Sequence, residues 1–254
     1  MNDYDAALAR CGMLDEDVLA RPWSFRGRQM DVRYALYRTL EDAQEVQVRV
    51  SAGDHPESRR ILALAQRALG SLRALLTGLP GASLDRAPRA GEWSIQETVA
   101  HMVAVEQRYA LQTKYAVDRE EADPTRIADS RLPSLAPANV GGEVAALLTR
   151  LAEARAETDR WLGDVPPAKM TRPTIWGGYE IDVRFRLHRF AAHVEEHTIQ
   201  CEKTLQALGW RPTEGRQIAR RLAAVLGEVE GLGAAKDARE IEARLVERLA
   251  SVAP

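Results

Sequence analysis

Cysteine is nearly missing from this sequence: two residues in 254, Cys11 and Cys201, with no CxxC pair. That excludes a disulfide scaffold and fits a reducing cytoplasm. Long apolar runs are missing too. No stretch approaches the roughly 18 apolar residues of a membrane-spanning helix. The acidic start, MNDYDAALARCGML, carries no signal-peptide core. Neither charge sign dominates: 35 basic and 37 acidic residues leave a net charge of −2. General nucleic-acid binding and membrane-surface binding are therefore not expected. Aromatic residues are sparse, at 6%. What is there is 45% apolar and rich in Ala, Leu, Arg and Glu, a composition that favours helices and can bury a core. The expected fold class is all-α.

Breakers and apolar spacing divide the chain. Pro22 and Gly27 precede a first helix over residues 28–50. The turn SAGDHPE puts Pro56 at the start of a second helix, 57–78. There Ile61, Leu64, Ala65, Ala68, Leu72, Leu75 and Leu76 recur at i, i+3, i+4 spacing. A third helix opens on the capping box Ser94-Ile95-Gln96-Glu97 and runs to about residue 117. Residues 118–142, with Pro124, Pro133, Pro137 and Gly141-Gly142, read as a long irregular connection, a kind often functional or disordered. Helices follow over 143–163 and 180–208. A helical hairpin over 214–230 and 236–251, jointed at Gly231-Leu232-Gly233, closes the chain.

The chain also repeats itself. RPWSFRGRQMDVRYALYR (21–38) aligns without gaps on RPTIWGGYEIDVRFRLHR (172–189). The first helix reads as a copy of the helix at 180–208. Asp42 and Val46 stand where the later copy has His193 and His197. The first copy is therefore read as packing or assembly, not chemistry.

Five histidines are present: His55, His101, His188, His193 and His197. A four-residue step in a helix advances about 400°, so His193 and His197 point nearly the same way, one turn apart. Two such imidazoles can share one metal ion. On its own, however, an i, i+4 histidine pair is more often two surface or hydrogen-bonded residues. Both sit to one side of the apolar stripe centred on Val194, at the edge of a core, and Gln200 follows on that flank. His101 is likewise off-centre on its helix, and periodicity does not place it beside the pair. His188 reads as solvent-facing, His55 as part of a turn, and Cys201 as a buried core thiol, since it is eight residues from His193. Glu195 and Glu196 read as solvent-side.

Two segments resemble a known family. GEWSIQETVAHMVAVEQRY (91–109) has a tryptophan, a capping serine, a glutamate and then His101, eight residues after Trp93. HVEEHTIQ (193–200) has the spacing HxxxHxxQ. Both resemble helix signatures of the DinB/YfiT-like superfamily, and LLTGLPGASLDRAP resembles the exit of that family's first helix. The resemblance covers roughly residues 57–208. It implies a DinB-like four-helix bundle at 57–208; the N-terminal helical extension (1–56) and the C-terminal helical hairpin (209–254) depart from that family's pattern. The resemblance also implies a divalent metal ion held by His101, His193 and His197.

The family includes thiol-dependent S-transferases, an isomerase that uses a thiol, and bundle domains of sulfur-inserting iron enzymes. The function expected is a metal-dependent enzyme that transfers a low-molecular-weight thiol to a small electrophile. Three imidazoles leave a coordination position open for chemistry, and imidazole suits zinc, nickel, iron or manganese alike. Tyr109 and Gln200 are the pocket or ligand-supporting candidates. Three other readings stay open: a metal-dependent hydrolase or isomerase, a non-catalytic metal-binding stress or assembly protein, and a helical interaction module without metal. The expected partner is a small molecule, not nucleic acid or membrane. The spare apolar stripes of the outer helices are compatible with a homodimer.

Overall fold

The computed structural model describes residues 2–135 and 143–252. Pro137 and Gly141-Gly142 of the long connection lie outside the described residues. Ten α-helices are seen among the described residues: α1 (Asp3–Met13), α2 (Glu16–Leu19), α3 (Val32–Ser51), α4 (Glu57–Leu76), α5 (Gly81–Leu84), α6 (Ile95–Asp118), α7 (Val144–Leu162), α8 (Val183–Ala207), α9 (Glu214–Gly231) and α10 (Ala235–Ala250). Two antiparallel hairpins accompany them: β1 (Pro22–Phe25) with β2 (Arg28–Asp31), and β3 (Pro173–Trp176) with β4 (Tyr179–Asp182). None of the described helices is long and apolar enough to cross a membrane.

The helices α4, α6, α7 and α8 form one bundle, with a core of residues such as Leu72, Leu75, Val99, Leu151, Phe190 and Leu205. The helices outside it do not extend it separately. Leu8 of α1, Leu36 of α3, Leu222 of α9 and Ile241 of α10 share a second core, so the two ends of the chain meet in a second bundle. The first bundle is thus inserted between α3 and α9. The pairings match across the two: α3 packs on α9 as α8 packs on α4, and α10 on α3 as α6 on α8.

The sequence repeat is the visible part of this likeness. Both copies fold as a hairpin of two four-residue strands feeding a helix, with Pro22 paired to Asp31 and Pro173 to Asp182. Asp31 accepts from the Tyr34 amide at 2.7 Å, and Asp182 from the Phe185 amide at 2.8 Å, so each caps its helix. Arg33 reaches Glu214 at the start of α9, and Arg184 reaches Glu57 at the start of α4. Residues 28–31 and 180–182, read above as the first turns of helices, are therefore in strands. The tight turns demand it: Arg26-Gly27 and Gly177-Gly178 all have positive φ, as two-residue hairpin turns require.

Asp42 occupies in the first copy the place that His193 has in the second. It is buried and held by arginines from two helices: Arg38 of α3, and Arg248 of α10, whose Nη2 lies 2.7 Å away. Burial pushes its carboxyl pKa up, but the hydrogen bonds from Arg248 and Arg38 outweigh that and hold it below the usual range. An ion cluster closes the place where the other bundle gathers histidines.

Candidate metal centre

Helix α6 starts where the capping box was expected. The Ser94 amide donates to Glu97 at 2.7 Å and the Glu97 amide to Ser94 Oγ at 3.2 Å. That fixes the first turns of α6 and the height of His101 in the bundle. The helix α8 is set by its own cap and by Leu187, Phe190, Val194 and Cys201, which it buries. Across the α6–α8 contact, His101 meets His193 and His197. One nitrogen from each ring lies within 4.8 Å of the others. His193 and His197 are buried; His101 is partly exposed.

The geometry suits a small cation. His193 Nε2 and His197 Nε2 are 3.0 Å apart. Donors on a tetrahedral zinc, at bond lengths of roughly 2.0–2.1 Å, sit about 3.3 Å from one another. His197 Nδ1 lies 2.8 Å from Gln200 Oε1, an acceptor. The proton therefore sits on Nδ1, and the lone pair of Nε2 faces His193. Charge favours neutral rings as well. Burial, then the neighbouring His197, His101 and Arg189, push the His193 pKa down to about 3. Burial and His197 lower that of His101 too. Metal donors must be unprotonated, and the downward shifts of His193 and His101 favour that condition.

Aromatic and cationic side chains surround the triad. Trp93 lies against His101, with ring centres 4.9 Å apart, and Tyr109 against His193 at 5.5 Å. Trp176, on the β3–β4 hairpin, donates from Nε1 to Tyr109 Oη at 3.2 Å. Arg189 stacks on Trp176 and the buried Arg186 on Tyr109. Burial lowers the Arg186 pKa to about 10, which still leaves it charged. Sequence reasoning singled out Tyr109 and Gln200, and the structure puts both against the triad. It missed Trp176 and the two arginines. The signal was the repeat itself, which ties the hairpin to the histidine helix.

The remaining candidates stand apart. Cys201 is a core thiol that burial pushes up to about 12, so it stays protonated and outside the ring of donors. His188, Glu195 and Glu196 are exposed. His55 Nε2 contacts the Val50 carbonyl at 2.8 Å and serves the turn before α4. The connection after α6 folds back on it: Tyr115 Oη donates to the Pro124 carbonyl at 2.8 Å, and Ile127 is buried.

One prediction concerns Gln200. Gln200→Leu removes the acceptor that sets the His197 tautomer and should weaken metal affinity roughly 10–100-fold. Zinc competition against a chromophoric chelator measures this. An unchanged affinity would show that the hydrogen bond does not orient the ring.

Comparison with known proteins agrees with this frame. The family model of the DinB superfamily matches residues 64–201, which contain all three histidines and Gln200. A solved structure, YfiT from Bacillus subtilis, is described as a probable metal-dependent hydrolase with an unusual four-helix bundle topology. It is 14% identical, with a TM-score of 0.47, over 63% of this chain and 92% of that one. A search of curated proteins finds no match. With more than half of its length matched by the family model, the chain belongs to the DinB superfamily.

Proposed function

We propose that the protein is a divalent-metal-dependent enzyme that transfers a low-molecular-weight thiol to a small electrophile. The convergence of three imidazoles beside aromatic side chains carries this reading. His101, His193 and His197 would hold the ion, and three protein donors leave a position for a ligand. Once bound, such an ion lowers the pKa of a thiol or water and so provides a nucleophile at neutral pH.

The other residues suit the same task. Trp93 and Tyr109 set apolar rings against His101 and His193, and the hydrogen bond from Trp176 holds Tyr109 there. Arg189 carries a buried Nε without a hydrogen-bond partner among the described residues. Its positive charge, with that of Arg186, suits the carboxylate that small biological thiols carry. In the transfer, the sulfur loses its proton and bonds to the electrophilic carbon, whose leaving group departs with its electron pair.

The test uses reconstituted protein with a haloaromatic electrophile and a panel of small thiols. Turnover is expected only when metal and thiol are both present. Product formed without thiol would replace this reading with metal-dependent hydrolysis or isomerisation. Tight metal binding with no turnover across the panel would leave a non-catalytic metal protein.

A further inference from the structure

The seam between the two bundles holds a cavity of about 630 Å³, lined by residues of α1, α4, α7, α9 and α10 and by none of α6 or α8, which carry the histidines. One wall is the alanine-rich face of α7, with Ala145, Ala152 and Ala156; another is leucine, with Leu69, Leu76 and Leu226. Small residues on α7 leave the space open where larger ones would fill it. The polar end is built from the second bundle. Asp5 of α1 is paired with Arg73 of α4 at 2.7 Å. Beside them stand Glu230 of α9 and Glu242 of α10; the charges of Arg73 and Arg239 act on both, with no ion pair or side-chain hydrogen bond to either among the described residues. Tyr4 of α1 also lines the cavity. It is 8% exposed, and its hydroxyl is buried with no hydrogen-bond partner.

A buried hydroxyl without a partner is uncommon in a folded protein. Here Tyr4 lines a cavity whose three carboxylates, Asp5, Glu230 and Glu242, outnumber the guanidiniums of Arg73, which Asp5 engages, and Arg239, whose charge reaches both glutamates. We propose that this seam is a second binding site, distinct from the histidine centre, for an organic monocation: a primary amine on an apolar body of about six to eight heavy atoms. The ammonium has three donors to share between Glu242, Glu230 and the Tyr4 oxygen. The alkyl or aryl part lies along α7. Asp5, Glu230 and Glu242 do not bring their oxygens together as a metal-holding group, which among the described residues the three histidines do.

The electrostatics agree. Burial, then the charge of Glu230, outweigh Arg73 and Arg239 and, with Asp5 adding to them, push the Glu242 pKa up to about 7. An ammonium placed there favours the ionised form, so binding near neutral pH releases a proton.

The experiment is calorimetric titration of the full chain with n-hexylammonium, n-hexanol and hexanoate. Buffers of differing ionisation enthalpy report the proton. Saturable one-to-one binding of the amine with proton release, and little or none of the other two, is the expected result. Glu242→Gln should weaken it at least about tenfold and Tyr4→Phe several-fold, while Ala152→Phe should abolish it by filling the cavity. His193→Ala should leave it unchanged, which separates this site from the histidine centre. Failure to saturate in the wild type, equal binding of hexanoate, or the same affinity in Glu242→Gln and Tyr4→Phe would overturn the proposal. The wild-type series decides the matter even where a variant fails to fold.

Discussion

His193→Ala should reduce bound zinc from about one per chain to almost none, measured by elemental analysis of tag-free protein after reconstitution. His193 is the most deeply set donor. Its Nε2 faces His197 Nε2 at 3.0 Å, and its ring also contacts those of His101 and Tyr109. Removing it leaves two imidazoles on different helices, one of them partly exposed, and no other histidine, cysteine or carboxylate in the donor cluster among the described residues. His188→Ala, on the exposed side of the same helix, should keep full occupancy. A zinc content unchanged in His193→Ala would remove the basis for the proposed enzyme.

The same substitution changes the metal-free protein in a way that can be read separately. His193 in the folded state titrates near 3, against 6.5 for an unperturbed imidazole. Between those values the unfolded chain holds the extra proton, so stability rises with pH across that window. The contribution is intact above about pH 6.5 and declines as the pH falls towards 3. Urea midpoints of metal-free wild type at pH 7 and pH 5 should differ more than those of His193→Ala. Equal differences would mean that His193 protonates freely in the fold.

Much of this was legible in the sequence, for physical reasons. The capping box, the stripes of α4 and α9 and the one-turn spacing of His193 and His197 are local and follow from helical periodicity. The meeting of His101 with the pair is not local. It depends on how α6 crosses α8, and only the family resemblance placed it. The strands escaped because four residues are too few to show an alternating pattern, and Met30, Val32 and Ile181 blend into the helical stripes that follow. Helix α1 escaped because its buried residues, including Ala7, Leu8 and Cys11, make a short stripe without a strong breaker pattern around it. The union of the two chain ends in one core was invisible for a stronger reason: Leu8 and Ile241 are neighbours only after both bundles have formed. The gapless match of 21–38 to 172–189 was the available clue to that, because equivalent hairpin–helix units occupy equivalent places.

Gly70→Ala should be the most damaging small substitution in the chain. In an isolated helix this change gains roughly 1 kcal/mol, because glycine costs more backbone entropy than alanine. In α4 the sign should reverse. A Cβ at Gly70 would stand 2.1 Å from the Ala223 carbonyl oxygen and 2.7 Å from its carbon. These are backbone atoms of α9, so no side-chain rotation relieves the contact. The opposite face is as tight: a Cβ at Gly227 would lie 2.4 Å from the Gln66 carbonyl oxygen. Helices α4 and α9 touch backbone to backbone, and one methyl must force them apart along the whole seam. The expected cost is about 4 kcal/mol, in the range reserved for severe core disruption. Gly81→Ala, with nothing within 4 Å of the added carbon, is the control and should be neutral or slightly stabilising.

Calorimetry then tells what the seam does for the fold. The metal donors all lie on α6 and α8 of the inserted bundle, whereas α9 belongs to the bundle made by the chain ends. If the seam couples the two bundles, Gly70→Ala should convert one melting transition into two. Zinc should raise only the one that belongs to the histidine bundle, since a ligand stabilises the unit that binds it. A single transition, lowered as a whole and still raised by zinc, would show instead that the bundles fold as one unit even with the seam strained. A melting temperature equal to that of wild type would rule out the close α4–α9 approach on which the seam and its cavity depend.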